Sequence, residues 1–110
     1  MNKSAKEQRY ITNGIKQEIP ELIPVILWSL IELAGQQTEL DYLQVFELEP
    51  VKMEGNCVVQ KIIHRQEQPA YQHTVHLTLP EVAKAKIFVI AGTGDDGLTP
   101  IDTMMLAEEY

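Results

Sequence analysis

Hydrophobic residues follow two different spacings along this chain, and the first of them is helical. Ten of the thirteen residues at positions 22–34 carry apolar side chains, including Trp28. Placed at about 100° per residue, these side chains cover most of a helix circumference. Pro24 is tolerated in the first turn of a helix, and Gly35 is typical of a helix end. The pattern predicts a helix over about 20–36 that is buried on more than one side, with Trp28 in the core.

From residue 41 onward the apolar positions recur every second residue, which is typical of β-strands with one buried face. Turn-forming pairs separate the first of these segments, Gly-Asn at 55–56 and Pro-Ala at 69–70. A short β-like run at 10–12 is followed by Asn-Gly at 13–14, which favours a turn. The sequence therefore predicts a short first strand and four longer ones. The longer strands are expected at 42–53, 57–66, 71–79 and 86–91.

Two further features lie near the C-terminus. Residues 92–97 contain three glycines and two aspartates, and no lysine or arginine follows them. This composition favours an acidic loop over a phosphate-binding or calcium-binding one. Thr99, Pro100 and Asp102 match a helix start, with a capping hydroxyl, a proline at the first helical position and an acid three residues after the cap. The pattern predicts a short C-terminal helix that begins near residue 99.

The order strand, helix, four strands, helix is that of an α+β fold. Hairpin-length connections favour an antiparallel β-meander of four to five strands, with one long apolar helix packed across one face and a short C-terminal helix. Residues 1–8 are polar and aperiodic, which predicts a disordered leader before a single α+β domain at 9–110. The apolar run at 22–34 is shorter than the roughly 20 residues that span a bilayer, and no secretory signal is recognisable. We expect a cytoplasmic protein that makes no membrane contact.

Charge and cysteine content exclude several classes of function. Sixteen acidic residues against nine basic ones leave a net charge of −7, and the basic residues are scattered among acids. Nucleic-acid binders normally concentrate positive charge on one face, so we expect no nucleic-acid binding. Cys57 is the single cysteine, which excludes an internal disulfide and a cysteine-rich zinc site. The nearest histidine along the chain is seven residues away, too far along one strand for thiol activation.

The densest polar cluster spans the turn at 64–73. A two-residue turn at 55–56 places Glu47 opposite His64, and a three-residue turn centred on Pro69 places His64 opposite Thr74. Ile63 then lies on the core face, and the polar side chains share the other face. The candidate binding residues on that polar face are Glu47, His64, Gln66, Thr74 and His76.

This polar face has three interpretations. A glutamate beside one histidine, with a second histidine nearby, is compatible with an acid–base pair or with part of a metal site. An ordinary solvated or partner-covered sheet face requires fewer assumptions, because zinc needs three converging ligands. We expect a Glu47–His64 hydrogen bond that raises the pKa of His64. We expect no catalytic residue, no bound metal and no cofactor.

Several segments together resemble a family of small Firmicute and phage proteins. They are RYITNG at 9–14, LWSLI at 27–31, LDYLQVFEL at 40–48, QKIIH at 60–64, QEQP at 66–69, AKIFVI at 85–90 and LAEEY at 106–110. The family is known as "staphylococcal protein of unknown function", and the resemblance covers about residues 9–110. It implies a bacterial or prophage origin and a cytoplasmic location, and it suggests a helix on a curved sheet, as in cystatins or nuclear transport factors. It implies no activity and no catalytic residues.

Two classes of function remain open at this stage. The first is a non-enzymatic protein-interaction module that acts as a homo-oligomer, most simply a symmetric dimer, because the long helix is apolar on more sides than one sheet can cover. We expect the second face of the sheet, with Ile62 and Val58, to contribute to this interface. The alternative is a small-molecule-binding protein or small enzyme that uses a pocket or the polar face. The interaction module is favoured because no catalytic motif is present.

Overall fold

The computed structural model describes residues 8–110. The leader expected at 1–8 lies outside this range except for Gln8, which begins the first strand. Two helices and six strands follow one another along the chain. The elements are β1 (Gln8–Ile11), α1 (Asn13–Glu18), α2 (Leu22–Gln37), β2 (Leu43–Lys52), β3 (Val58–Glu67), β4 (Ala70–Leu77), β5 (Ala85–Thr93) and β6 (Pro100–Leu106). Single 3₁₀ turns occupy Glu54–Asn56 and Ala107–Glu109.

All six strands belong to one sheet with the order β1-β6-β5-β2-β3-β4. Strands β2, β3 and β4 form the expected antiparallel meander, but β5 returns to the free side of β2 instead of extending it. Strand β1 is parallel to β6, while every other pairing is antiparallel. The α+β class is confirmed. The expected meander of four to five strands is corrected to a six-stranded sheet in which two pairs of neighbours, β1–β6 and β5–β2, are not consecutive along the chain.

The long apolar helix is present as α2 and packs across one face of the sheet. Its buried residues recur at helical spacing, as Ile23, Leu27, Leu30, Ile31 and Ala34. They meet buried side chains of β2, β3, β5 and β6 in one core. Trp28 is half-buried and lies against the edge of this core, so its predicted core position holds only in part. Within residues 8–110, no helix is both long and apolar enough to cross a membrane.

A helix replaces the turn expected at 13–14. Thr12 is extended and its side chain accepts the amide N–H of Ile15 at 3.4 Å, which caps α1. From the far end of the chain, the carboxylate of Glu109 accepts the hydroxyl of Thr12 at 2.7 Å and the amide N–H of Leu106 at 2.8 Å. A Cβ at Gly14 would lie 2.7 Å from the Glu109 carboxylate, so a larger residue there would displace that side chain. The prediction failed because a contact 97 residues away fixes the helix start.

The C-terminal helix expected near residue 99 is wrong, and strand β6 occupies the segment. Asp96, not Thr99, acts as the local acceptor: its carboxylate accepts the amide N–H groups of Leu98 and Thr99 at 2.9 Å each. The hydrogen bond from the Thr99 hydroxyl, followed by these two backbone bonds, lowers the pKa of Asp96 to about 2. Pro100 then takes the first position of the strand, where a missing N–H is tolerated. Burial alternates through Asp102, Met104 and Leu106, as pairing with β5 requires.

Both predicted strand registers are shifted by one residue. The β2–β3 connection is longer than two residues, with Gly55 at φ +75° and Asn56 at φ 65°, and it places Glu47 opposite Ile63. The β3–β4 connection is the two-residue turn at 68–69, which places His64 opposite His73. A shift of one residue exchanges the two faces of a strand. Strand β3 therefore directs His64 toward the helices and Ile63 away from them.

Candidate functional site

The five predicted site residues are divided between the two faces of the sheet. We call the face under the helices the inner face and the opposite one the outer face. His64 and Gln66 lie on the inner face and are 0% and 4% exposed. Glu47, Thr74 and His76 lie on the outer face. The predicted polar face therefore does not exist as one surface.

The predicted Glu47–His64 pair is wrong, and so is its expected effect on the pKa. Glu47 forms an ion pair with Arg65 across the outer face, and this hydrogen bond lowers the pKa of Glu47. The His64 ring instead contacts the side-chain oxygen of Gln44, a neutral amide. Burial of the imidazole lowers the pKa of His64 from 6.5 to about 4, and the electrostatic effect of the nearby His73 is a smaller cause in the same direction. The imidazole is therefore neutral at physiological pH.

Aromatic rings enclose His64 on the inner face. The ring of Phe46, directly opposite on β2, stacks on it with centroids 4.3 Å apart and planes 17° apart. Tyr71 of β4 meets it edge-on at 5.7 Å. Histidine takes this place in the core because a neutral imidazole packs as an aromatic ring while keeping one hydrogen-bonding edge.

That polar edge joins a buried glutamine network at the start of β2. His64 Nε2 lies 2.7 Å from Gln44 Oε1, and Gln44 Nε2 donates to Gln66 Oε1 at 2.7 Å. Gln66 Nε2 donates in turn to the backbone carbonyls of Glu39 at 2.9 Å and Pro69 at 2.8 Å. The network ties the loop after α2 to the β3–β4 turn. The role of the network is structural, because each of its glutamines forms hydrogen bonds with the backbone or with another buried amide.

His73 of β4 is the cross-strand neighbour of His64. The Nδ1 atoms of His64 and His73 are both buried and make no hydrogen bond with any residue of the described range. Across residues 8–110, no three His, Cys, Asp or Glu side chains converge in a way that could hold a metal ion. A fully buried histidine without an acidic partner is not arranged as a general base. The expectations of no metal and no catalysis stay predictions.

A cleft of about 330 Å³ adjoins the glutamine network. It lies between the C-terminal half of α2, the segment that leads into β2, and strands β5 and β6. Its walls are mostly apolar and include Ile31, Leu40 and Val89, while Gln44 and the buried Asp102 supply polar atoms. His64 does not line it. The cleft also includes the side chain of Asp41, and its size is compatible with a small ligand.

The outer face carries an apolar patch centred on β5, in which Val45 is only 9% exposed and the other members are partly exposed. Met105, Phe88 and Val45 lie side by side on β6, β5 and β2, and Ile90 and Leu43 form the next row. Tyr110 meets Phe88 edge-on with ring centroids 5.6 Å apart. Both described helices place their buried residues on the inner side of the sheet, so neither covers this patch. We call the five strand residues, without Tyr110, the outer patch: Leu43, Val45, Phe88, Ile90 and Met105.

Charged residues on the outer face balance each other. Strands β2, β3 and β5 present three acids and three bases there. They are Glu47, Glu49, Glu67, Lys61, Arg65 and Lys86. The Arg65–Glu47 ion pair lies within this group, and Lys86 is directly opposite Glu47. The face is neutral in a chain whose net charge is −7.

Sequence reasoning missed Gln44 as a member of the buried network. The available signal was the position of Gln44, Gln60 and Gln66 on alternating strand positions that also hold large apolar residues. Polar residues at core-facing positions require hydrogen-bond partners, so such glutamines predict a buried network. The register error hid this signal, because it placed Gln66 on the outer face.

Comparisons with other proteins agree with this description. The model of a family described as "Staphylococcal protein of unknown function (DUF960)" matches residues 8–109. A crystal structure of a protein of unknown function from Enterococcus faecalis is similar, with a TM-score of 0.67 and 20% sequence identity. The similarity covers 94% of this chain and 90% of that one, and at this identity it shows the fold alone. No curated protein matches the chain.

Proposed function

The chain belongs to the staphylococcal family of unknown function that its residues 8–109 match, and from this premise we propose that it is a non-enzymatic interaction module that binds a second copy of itself. The outer patch is the contact surface. The observation that carries the proposal is an apolar, charge-balanced sheet face that neither helix covers. A cytoplasmic location and a bacterial or prophage origin, implied by the family resemblance, belong to the same proposal.

The apolar content of the outer patch supports docking of a protein surface. Phe88, Ile90, Leu43 and Met105 are each partly exposed, and they adjoin one another through the strand register. Contiguous apolar patches on a folded chain mark interaction sites more often than isolated apolar residues do. Aromatic and methionine side chains are also enriched in the cores of interfaces. Phe88, with Tyr110 against its edge, is the expected centre of the contact.

The charge balance of the outer face supports a second copy as the partner. Two chains that each carry −7 repel one another over most of their surfaces. A neutral face removes this repulsion locally, and alternating Glu47, Lys86 and Arg65 can pair with the same residues of a copy related by two-fold symmetry. The predicted interface included Ile62. This residue is fully buried on the inner face, so it cannot take part.

The size of the outer face is adequate for a dimer. Six strands about 4.8 Å apart and about 25 Å long give roughly 600 Å² of projected surface. Standard interfaces bury about 800 Å² per partner, so the two areas are of the same order. A symmetric face-to-face contact would place Phe88 of each chain near the dimer axis. The apolar centre would then be surrounded by the charged residues of β2 and β3.

The alternative, small-molecule binding, has one observation in its favour. The cleft beside Gln44 is mostly apolar, measures about 330 Å³ and includes two buried polar side chains, Gln44 and Asp102. Ligand sites commonly have a volume of at least about 300 Å³ and a few placed polar groups. Co-purifying ligand, detected by mass spectrometry of denatured protein, would favour this function over the interaction module.

Light scattering after size exclusion tests the proposed dimer. We expect twice the chain mass of 12.5 kDa at micromolar concentration, and the monomer mass for Phe88→Glu. Thr74→Glu is the matched control, because Thr74 lies on the same face at the edge strand β4, outside the outer patch. Met105→Glu serves as a second variant, and circular dichroism checks that each variant is folded. A monomeric wild type, or a dimer that survives both patch variants, contradicts the proposal.

A further inference from the structure

Two apolar clefts flank the first turns of α2, on the helix side of the molecule. The first, about 410 Å³, lies between α2 and the β4–β5 connection, where Leu79 and Pro80 form its far wall. The second, about 430 Å³, lies between α2 and α1 and is lined by Ile15 and Ile19. Both clefts include Glu21 and Val25, so they form one groove with Val25 as the ridge. We call it the α2 groove.

The exposed residues of the α2 groove are apolar where solvent would favour polar ones. Val25 is 60% exposed and Leu22 is 48% exposed, although both stand on a helix whose opposite side already supplies the core. They lie three residues apart, on one side of the helix. Trp28 continues the same wall into the second cleft. An apolar wall of this kind is typical of a surface that receives a partner's side chains.

The α2 groove is held in shape by its own contacts. The guanidinium of Arg9 lies 5.0 Å from the ring centroid of Trp28, and it is also paired with Glu32 at 2.9 Å. Ile15 and Ile19, which form the floor, are almost fully buried. Pro24 fixes the backbone of the first helical turns. A preformed groove lowers the entropy that binding would otherwise have to offset.

The rim of the α2 groove is mainly acidic. Glu21 belongs to both clefts and Glu81 lines the first, while Lys16 is the single base among the lining residues. Arg9, which lies over Trp28, is paired with Glu32. Glu18 ends α1 close by in the chain and is exposed. Such a rim attracts a basic ligand and repels an anionic one, including an anionic lipid surface.

We propose that the α2 groove binds a basic amphipathic helix of a partner protein. Two large apolar side chains, one helical turn apart, enter the two clefts on either side of Val25, and lysine or arginine residues beside them meet Glu21 and Glu81. The two described helices of a second copy do not fit as the occupant, since neither is a basic amphipathic helix. Helix α1 has six residues, and α2 uses its apolar side for its own core.

The fluorescence of Trp28 reports directly on this groove, because it is the single tryptophan of the chain. The probe is an 18-residue leucine–lysine peptide whose leucines occupy one helical face. We expect a saturable change in emission with a dissociation constant in the micromolar range. A peptide of the same composition with leucines on all sides, and a leucine–glutamate peptide, should each bind at least tenfold more weakly.

Two variants locate the site. Val25→Lys should weaken binding at least tenfold, and Glu81→Lys, on a loop, should weaken it severalfold without affecting the fold. Leu98→Lys is the control, because Leu98 is 81% exposed and does not line the groove. Phe88→Glu should bind the peptide like wild type, so failure of the proposed dimer and failure of the α2 groove are distinguishable. Equal binding of all three peptides, or binding unchanged by both groove variants, overturns the proposal.

Discussion

Gln44 holds the imidazole of His64 in a single tautomer. The Gln44 Nε2 group donates to Gln66 Oε1 at 2.7 Å and to the Asp41 carbonyl at 2.9 Å, which leaves Gln44 Oε1 as an acceptor. His64 Nε2, 2.7 Å from that oxygen, must therefore carry the hydrogen. His64 Nδ1 is then an unprotonated nitrogen, and protonating it would place a charge inside the core. The contact between Gln44 and His64 therefore connects the buried amide network to the pH dependence of the stability of the fold.

The stability of the protein should therefore depend on the protonation of His64. The pKa of His64 is lowered from 6.5 to about 4 in the folded state, so the unfolded chain binds the extra proton between these values. Stability is fully present above about pH 6.5 and decreases as the pH falls toward 4. The loss should approach about 3 kcal/mol, at 1.36 kcal/mol per pKa unit. Urea unfolding at several pH values measures it.

Carboxyl groups also titrate in this range, so the variant His64→Phe isolates the histidine. We expect its free energy of unfolding to change less between pH 6.5 and 4 than that of wild type, whatever its absolute stability. His76→Phe, on the exposed outer face, should keep the wild-type pH dependence. If His64→Phe and wild type have parallel pH profiles, His64 is not the group responsible.

Gly14 and Glu109 should be coupled in stability. In Gly14→Ala the new Cβ would lie 2.7 Å from the Glu109 carboxylate, which must move and give up its bonds to Thr12 and Leu106. We expect a lower melting temperature. In a Glu109→Ala background the same substitution should be neutral or stabilising, because alanine is favoured over glycine in helices by about 0.5–1 kcal/mol. Melting of the two single variants and the double variant measures the coupling, and additive effects would contradict it.

The sequence alone was sufficient to predict the elements with strong local patterns. Helix α2 and strands β2 to β5 were expected within a few residues of their observed bounds, because in each of them apolar residues recur at a regular spacing over many positions. Helix α1 and strand β6 were not, because distant contacts determine both. The carboxylate of Glu109 meets the start of α1, and pairing with β5 outweighs the local helix-start pattern at Thr99. Local propensity is a weak determinant when tertiary contacts compete with it.

The candidate site was less predictable than the fold, for one physical reason. A face assignment depends on strand register, and register depends on turn geometry that a Gly-Asn or Pro pair does not specify uniquely. The shift of one residue placed His64 beside Phe46 instead of Glu47. It thereby changed the expected direction of the His64 pKa shift from upward to downward. The residue types were informative, but their partners were not.

Neighbouring residues of α2 should respond differently to truncation. Leu27 is fully buried in the core, whereas Trp28 is half-buried beside Arg9. Leu27→Ala should cost about 2–5 kcal/mol through lost burial and a cavity. Trp28→Ala should cost less than the 3–5 kcal/mol typical of a buried aromatic ring, because part of the ring is already in solvent. Guanidinium unfolding of both variants checks the order, and a larger loss for Trp28→Ala would contradict the packing described above.

Gln60 should be necessary for holding the crossover between β4 and β5. It is 0% exposed, its side-chain oxygen accepts the amide N–H of Ala83 at 2.7 Å, and its Nε2 donates to the Ala83 carbonyl at 3.0 Å. Gln60→Leu keeps the size of the side chain but leaves both backbone groups of Ala83 without this partner. An unsatisfied buried group costs about 1–3 kcal/mol, and Ala83 is partly buried, so the variant should be less stable by up to that amount for each group it leaves without a partner.

Amide hydrogen exchange distinguishes this cause from a general loss of packing. The Ala83 amide should be protected in wild type and should exchange at least tenfold faster in Gln60→Leu, beyond the change seen for core amides of β2. Gln72→Leu, on the outer face of β4, is the matched control and should leave Ala83 protected. Equal acceleration of all amides in Gln60→Leu would show that the substitution weakens the whole fold, and that Gln60 does not specifically hold the connection through which β5 reaches the far side of β2.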